Sequence, residues 1–268
     1  MKTRKGFTLI ELLVVIFIIA LLISILMPAL SSAKKQATGA ACLINEKSLL
    51  LAWIMYKDDN DDKLVGGQVW YDYNIVEPHD WVHPVITASH PRYVSGMPGH
   101  QLELEGIKAG ALYPYTQEVG VYNCPGDKTW RSTNGPLTLF DSPWRSYAAS
   151  DAMNGEWRGD YQYKKYSAIK RPAERMVYLE EEEVYGANWG SWIIADNNWW
   201  DPIAIWHSKG STNLAFADGH AIAYMWSDQS TIDMAKEQTL GKQPYPGEGE
   251  DLRYIQKAYH HDLPLFGN

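Results

Sequence analysis

The chain has 268 residues, 46% of them hydrophobic, and a formal charge of −8 at pH 7. That length leaves room for one sizeable core, and an acidic balance without a basic stripe argues against a nucleic-acid partner. Only two cysteines occur, Cys42 and Cys124, so at most one internal bridge can form.

The first element is a short basic leader, residues 1–6, with Lys2, Arg4 and Lys5 ahead of Gly6. An apolar run then extends from Phe7 to Met27, interrupted early by Glu11 and later by Ser24. As a helix this stretch has about the length needed to cross ~30 Å of hydrocarbon. The basic residues precede it, so the positive-inside rule keeps the N-terminus cytoplasmic and exports the remainder of a single-pass chain. No small-residue cleavage site closes the apolar run, which distinguishes it from a secretory signal peptide. A carboxylate at membrane depth costs roughly 2.5–3.5 kcal/mol on insertion scales, so Glu11 reads as functional and in need of a partner. A plain signal-anchor explains length and orientation but neither Gly6 nor Glu11.

The segment KGFTLIELLVVIFIIALL resembles the N-terminus of type IV pilin-like proteins, a group that includes type II secretion pseudopilins. The resemblance implies cleavage by a prepilin peptidase after Gly6 and methylation of the new N-terminus, Phe7. It implies assembly through this segment, with Glu11 pairing with the amine of a neighbouring subunit, Thr8 beside it, and Pro28 at a helix-breaking position. Opposite charges from adjacent subunits would neutralise one another in hydrocarbon and set the axial register of a fibre. The implied partners are other pilin-like subunits, the peptidase, an inner-membrane assembly machinery and membrane lipid. The implied product is a periplasmic or cell-surface filament.

Past Pro28 the helix is expected to continue to about residue 57. Leu30, Ala33, Ala37, Ala41, Ile44, Ser48, Leu51 and Met55 recur at steps of three or four, one stripe of a 3.6-residue period. Its alanine-rich start suits close helix packing around a fibre axis, and its bulkier end suits burial against a sheet of the same subunit. Either use, or both, fits the pattern.

Four aspartates, Asp58, Asp59, Asp61 and Asp62, follow at the negative end of the helix dipole. Asp58, Asn60 and Asp62 imitate the first ligands of an EF-hand loop. Lys63 and Val69 stand where that loop needs glycine and its closing glutamate, which excludes a regular EF-hand. A solvated junction and a calcium site of other geometry remain as readings.

Residues 58–226 read as short strands and long loops dense in Gly, Pro, Trp and Tyr. LYPYTQEVGVYNCPGD, RSYAASDAMNG, YSAIKRPAERMVYLEEEE and WHSKGSTNLAFADGHA resemble a branch of pilin-like proteins with a large exported domain. The spacing from His207 to Asp218-Gly219 is one residue longer than usual for that branch, and the resemblance implies no catalytic activity. Asp218-Gly219 is expected to close a two-residue type I′ hairpin pairing Phe216 with Ala221 and Leu214 with Ala223. A cation held by Glu180, His207 and Asp218 is the candidate site here. In an oxidising compartment Cys42 and Cys124 either bridge, closing a long loop, or stay as two thiols.

Twelve tryptophans occur against five phenylalanines. They suit core and loop packing, or a glycan- or partner-binding face such as Trp199 and Trp200. Residues 227–268 form a polar tail ending in a short helix, capped by Asp251, whose Leu252, Ile255 and Tyr259 should dock on the domain.

The expected fold is α+β: a long N-terminal helix, its first half spanning the membrane, packed on an antiparallel-sheet domain with long loops. No nucleophile elbow, HExxH, P-loop or paired metal-histidine spacing is present, so an enzyme is the least favoured class. The leading expectation is a structural filament subunit, followed by an anchored surface-binding module.

Overall fold

Helix-favouring residues run without a glycine from Phe7 to Thr38, and in the computed structural model they form α1 (Leu9–Asp59), 51 residues long. The structure describes residues 7–67, 79–83, 90–97, 99–127, 145–155, 159–182, 190–194, 198–237, 245–246 and 249–263. The leader with Gly6 lies outside them, as does Val69. Pro28 sits inside α1 without ending it, although its ring nitrogen cannot donate to the preceding turn. The first half of α1 is long and apolar enough to cross a membrane, and none of that stretch is buried. The second half packs on the body through Cys42, Glu46, Leu49, Leu50, Ala52 and Trp53.

This corrects the expected use of the α1 stripe. Leu30, Ile44, Leu51 and Met55 are exposed, Leu51 at 58%. The opposite face carries Trp53 and a leucine pair, which bury more apolar area, and a cysteine that ties it down, so it takes the inward position.

The body continues with α2 (Gly99–Ala109) and the single-turn α3 (Tyr113–Thr116); α3 packs beside α1, and α2 packs on α3. Strands β1 (Tyr147–Ser150), β2 (Met176–Glu180), β3 (Ser191–Trp192), β5 (Ser211–Phe216) and β6 (Ala221–Met225) form one sheet in the order β3-β1-β2-β5-β6. β4 (Asn198–Trp199) pairs separately with β7 (Tyr245–Pro246). The sheet is mixed where an antiparallel one was expected, because β3 runs parallel to β1. Both flanks of β2 are occupied by β1 and β5, so the strand that follows it adds at the outer edge of β1.

Both faces of the sheet are covered. Tyr147, Ala149, Tyr178, Ala215 and Ala217 face the cluster built on α1, and small residues there let the helix approach. Ala148, Leu179, Leu214 and Phe216 face the opposite cluster, which holds α4 (Gln229–Glu237) and α5 (Gly249–Tyr259). The period-two alternation along β1 and β5 assigns neighbours to opposite layers. Leu252, Ile255 and Tyr259 of α5 dock as expected.

The β5–β6 turn differs from the two-residue expectation. Observed partners include Leu214 with Ile222 and Ala215 with Ala221, one residue away from the predicted register. The loop holds three residues, Ala217 to Gly219, closed by Phe216 and His220. Only Gly219 adopts a positive φ, +101°, whereas a type I′ turn would require it of Asp218 as well. The Asp218 carboxylate instead accepts from the His220 backbone N–H at 3.1 Å.

Asp251 is likewise not the helix cap. It lies in the first turn of α5, fully buried, and accepts from the Ser227 and Asp228 backbone N–H groups at 2.8 and 2.7 Å. Asp228 returns the favour by accepting from Asp251 N–H at 2.7 Å, so α4 and α5 cap one another. Gly249 makes this fit, since a Cβ there would lie 2.4 Å from Asp228 Oδ2. Replacing Asp251 by Ala removes the acceptor of two partly buried backbone donors and is expected to cost about 1–3 kcal/mol, read as a lower denaturation midpoint with an unchanged slope.

Candidate functional site

Two regions bring chemistry-bearing residues together: the start of α1 and the place where α1 meets the sheet. At the start, Thr8 caps the helix. Its Oγ1 accepts from Glu11 N–H at 3.3 Å, while Glu11 Oε2 accepts from Thr8 N–H at 2.8 Å and from Thr8 Oγ1 at 2.7 Å. This reciprocal capping box gives Thr8 a physical role that the sequence reading had left unstated. Phe7 is exposed at the helix entrance.

At the joint, Cys42 of α1 is bonded to Cys124, 82 residues on, and both are fully buried. Glu180 ends β2 directly behind them. Its carboxylate accepts from His207 Nε2 at 2.6 Å, from Asn213 N–H at 2.8 Å and from Asn213 Nδ2 at 3.2 Å. Burial raises the Glu180 carboxyl above its ordinary range, and the His207 and Asn213 bonds oppose that rise. His207 Nε2 also lies 3.5 Å from Cys124 Sγ. The imidazole fits because its neighbours are glycines: a Cβ on Gly126 would come within 2.9 Å of His207 Cε1, and one on Gly39 within 3.3 Å of Cγ. Asn213 Nδ2 further donates to the Gly39 carbonyl at 3.2 Å, tying β5 to α1.

Of the predicted cation ligands, Glu180 and His207 are therefore brought together, and Asp218 is not. It sits in the exposed β5–β6 turn, bonded to His220. Asp58, Asn60 and Asp62 also turn to separate protein partners. Asp58 pairs with Lys57, Asn60 Nδ2 donates to the Tyr56 carbonyl, and Asp62 Oδ2 accepts from Ser167 N–H. The chain reverses there with positive φ at Asp61 and Asp62, which splays the carboxylates apart. Trp199 and Trp200 are not one face: Trp199 is buried in the core against Trp192 and Trp226, and Trp200 is 45% exposed. β4 ends at Trp199, so the ring of Trp199 is held in the core while Trp200 lies just beyond the strand.

Sequence reasoning missed Glu46. It lies one turn beyond Cys42 on the buried face of α1, with both carboxylate oxygens unpaired among the described residues. Burial first, and then the charge of Glu180, push its carboxyl well above the ordinary value of 4.5. A signal existed in the 3.6-residue spacing of Cys42, Glu46, Leu49 and Trp53. Because proton binding favours the folded chain, the stability Glu46 lends is complete below 4.5 and is lost as pH rises through its folded value. Glu46→Gln is thus expected to raise the melting temperature at neutral pH, with the gain over wild type shrinking as the pH approaches 4.5. Melting curves of both proteins across that range check it.

The family match falls on the first region. The family model of the prokaryotic N-terminal methylation motif matches residues 1–27. The chain is 43% identical over 61 residues to the type IV wide pilus major component PilA4 of Thermus thermophilus, covering 23% of this chain and 47% of that protein. It thus spans about half the length of the curated relative it matches. No solved structure matches the chain. With the methylation motif, the long apolar helix and this relative in hand, the chain is similar to type IV pilin-like proteins.

Proposed function

We propose that the chain is a structural, non-enzymatic subunit of a filament, either a type IV pilus or a type II secretion pseudopilus. In this reading a prepilin peptidase cuts after Gly6, Phe7 is methylated, and subunits assemble through α1 with the help of an inner-membrane machinery. Residues 1–6 are the leader, 7–57 the assembly helix, and 58–226 with the tail 227–268 the exported body.

The observation that carries the reading is where apolar surface remains uncovered. Large exposed hydrophobic side chains run along α1 from Phe7 to Met55, with Leu9 at 79% and Leu30 at 70%. Elsewhere among the described residues only Val94, Trp200 and Met225 are comparably exposed. Lipid covers the first part of such a surface, and other helices of the same kind suit Ile44, Leu51 and Met55 beyond it. The alternative, a surface-binding module reading glycans through paired tryptophans, is weakened by the burial of Trp199.

Mass spectrometry of the protein isolated from membranes tests the processing step. The expected mature chain begins at Phe7 carrying one added methyl group. A chain that retains Met1 in cells with an active prepilin peptidase overturns the reading.

A further inference from the structure

Four buried side chains capable of ligating a metal meet behind α1: Cys42, Cys124, Glu180 and His207. One donor atom from each lies within 4.8 Å of the others. They come from α1, the turn after Tyr122, the end of β2 and the loop before β5. We propose that the dithiol form of this cluster is a zinc site, with Cys42 Sγ, Cys124 Sγ, His207 Nε2 and one Glu180 oxygen as ligands. Disulfide and zinc are then alternative closures of the joint between α1 and the body. The proposal stands on these four side chains and is independent of the filament reading.

The donor set suits zinc, which takes thiolate, imidazole and carboxylate in a tetrahedron. The spacing is already close. Ligands at ~2.3 Å (sulfur) and ~2.0 Å (nitrogen) define a tetrahedral edge of roughly 3.5 Å, and Cys124 Sγ lies 3.5 Å from His207 Nε2. Gly126 N–H donates to Cys124 Sγ at 3.2 Å, a bond that favours the thiolate over the thiol. Glycines at 39 and 126 let the imidazole sit directly against both thiol-bearing segments, where a Cβ on Gly126 would lie 2.9 Å from His207 Cε1. The chemistry balances with a dithiol reductant. It supplies two electrons and two protons to the Cys42–Cys124 bond and leaves as its own disulfide. Zinc then displaces both thiol protons. The Nε2 proton of His207 moves to Nδ1, an atom with no partner among the described residues, and the bond to Glu180 opens as both groups turn to the metal.

The test uses the full chain in detergent, reduced with a phosphine and titrated with Co²⁺ as the probe. The expected result is one cobalt per chain with thiolate-to-metal charge-transfer absorption and intense tetrahedral d–d bands, abolished by one equivalent of Zn²⁺. The oxidised chain should show none of this, and His207→Ala should weaken binding to the reduced chain at least ~100-fold. A folded, reduced chain without charge-transfer bands overturns the proposal. So does a His207→Ala spectrum and affinity equal to wild type, which would mean binding by the cysteines alone. Should reduction unfold the body, recovery of its circular dichroism on adding Zn²⁺ supports the site, and failure to recover counts as refutation.

Discussion

Serine at Cys42 or Cys124 is expected to lower the stability of the folded body by about 4.5 kcal/mol, the chain-entropy value for a loop of this length. The loop closed by the bridge spans 82 residues. A domain of this size has a total stability of roughly 5–15 kcal/mol, so the loss leaves little margin. The effect should concentrate on α1. Cys42 is the first fully buried residue of the helix, and residues 7–37 are exposed. The bridge therefore anchors the point at which α1 leaves the body, and without it the helix depends on Leu49, Leu50, Trp53 and the Asn213–Gly39 bond to stay docked. Denaturant unfolding of the full chain in detergent, with chelator present to remove metal, provides the measurement. Either single serine variant, the double variant and the reduced wild type should show the same loss, because each removes one and the same covalent link. A loss below about 1 kcal/mol, or clear additivity between the two serines, would show that the bridge does not restrain the unfolded chain in this way.

The sequence was most legible where one physical demand acts alone. A membrane span must be apolar and about twenty residues long, and a carboxylate inside it stands out against that background. The start of α1 was therefore readable as an apolar helix with one carboxylate set into it. The docking face of α1 was not. Two apolar stripes wind around residues 30–55, and periodicity says only that each exists. The stripe through Cys42, Leu49 and Trp53 turned inward, and it even carries a glutamate. The joint was half legible for a related reason. Glu180 and His207 were singled out as chemistry-bearing, but their third partner is set by how β2, β5 and α1 stack, and the sheet places Asp218 at the far end of the β5–β6 hairpin. The hairpin itself was missed by one residue because Asp-Gly serves two loops. It fills a two-residue turn when both residues accept positive φ, and here it ends a three-residue loop in which only Gly219 does. A slip of that size changes every cross-strand partner. Asp251 was likewise identified as a helix-terminal carboxylate, yet its partners come from the end of β6 and the start of α4, which no local pattern announces.

Glu11 is the residue whose replacement should affect assembly most, and two substitutions separate its two roles. In the single chain the carboxylate closes the capping box with Thr8, and both of the bonds received from Thr8 fall on Oε2. Gln can keep that box, since a capping box accepts either residue, but it removes the charge. Leu removes both. Insertion should not suffer in either case, because a carboxylate at membrane depth costs roughly 2.5–3.5 kcal/mol that leucine avoids. Assembly should suffer in both. In the proposed filament, with Phe7 as the N-terminus, its amine would be a cation at the edge of hydrocarbon, and a neighbouring Glu11 would be the carboxylate that neutralises it. Removing one partner of such a buried pair costs about 3–5 kcal/mol, and at 1.4 kcal/mol per factor of ten the subunit association constant should fall by at least ~100-fold. The measurement is the ratio of filament to membrane-embedded subunit after shearing, with membrane content as the control. Equal loss for Glu11→Gln and Glu11→Leu assigns assembly to the charge. Filaments of Glu11→Gln at wild-type yield would instead leave the helix cap as the sole function of Glu11 and remove charge pairing from the account of register.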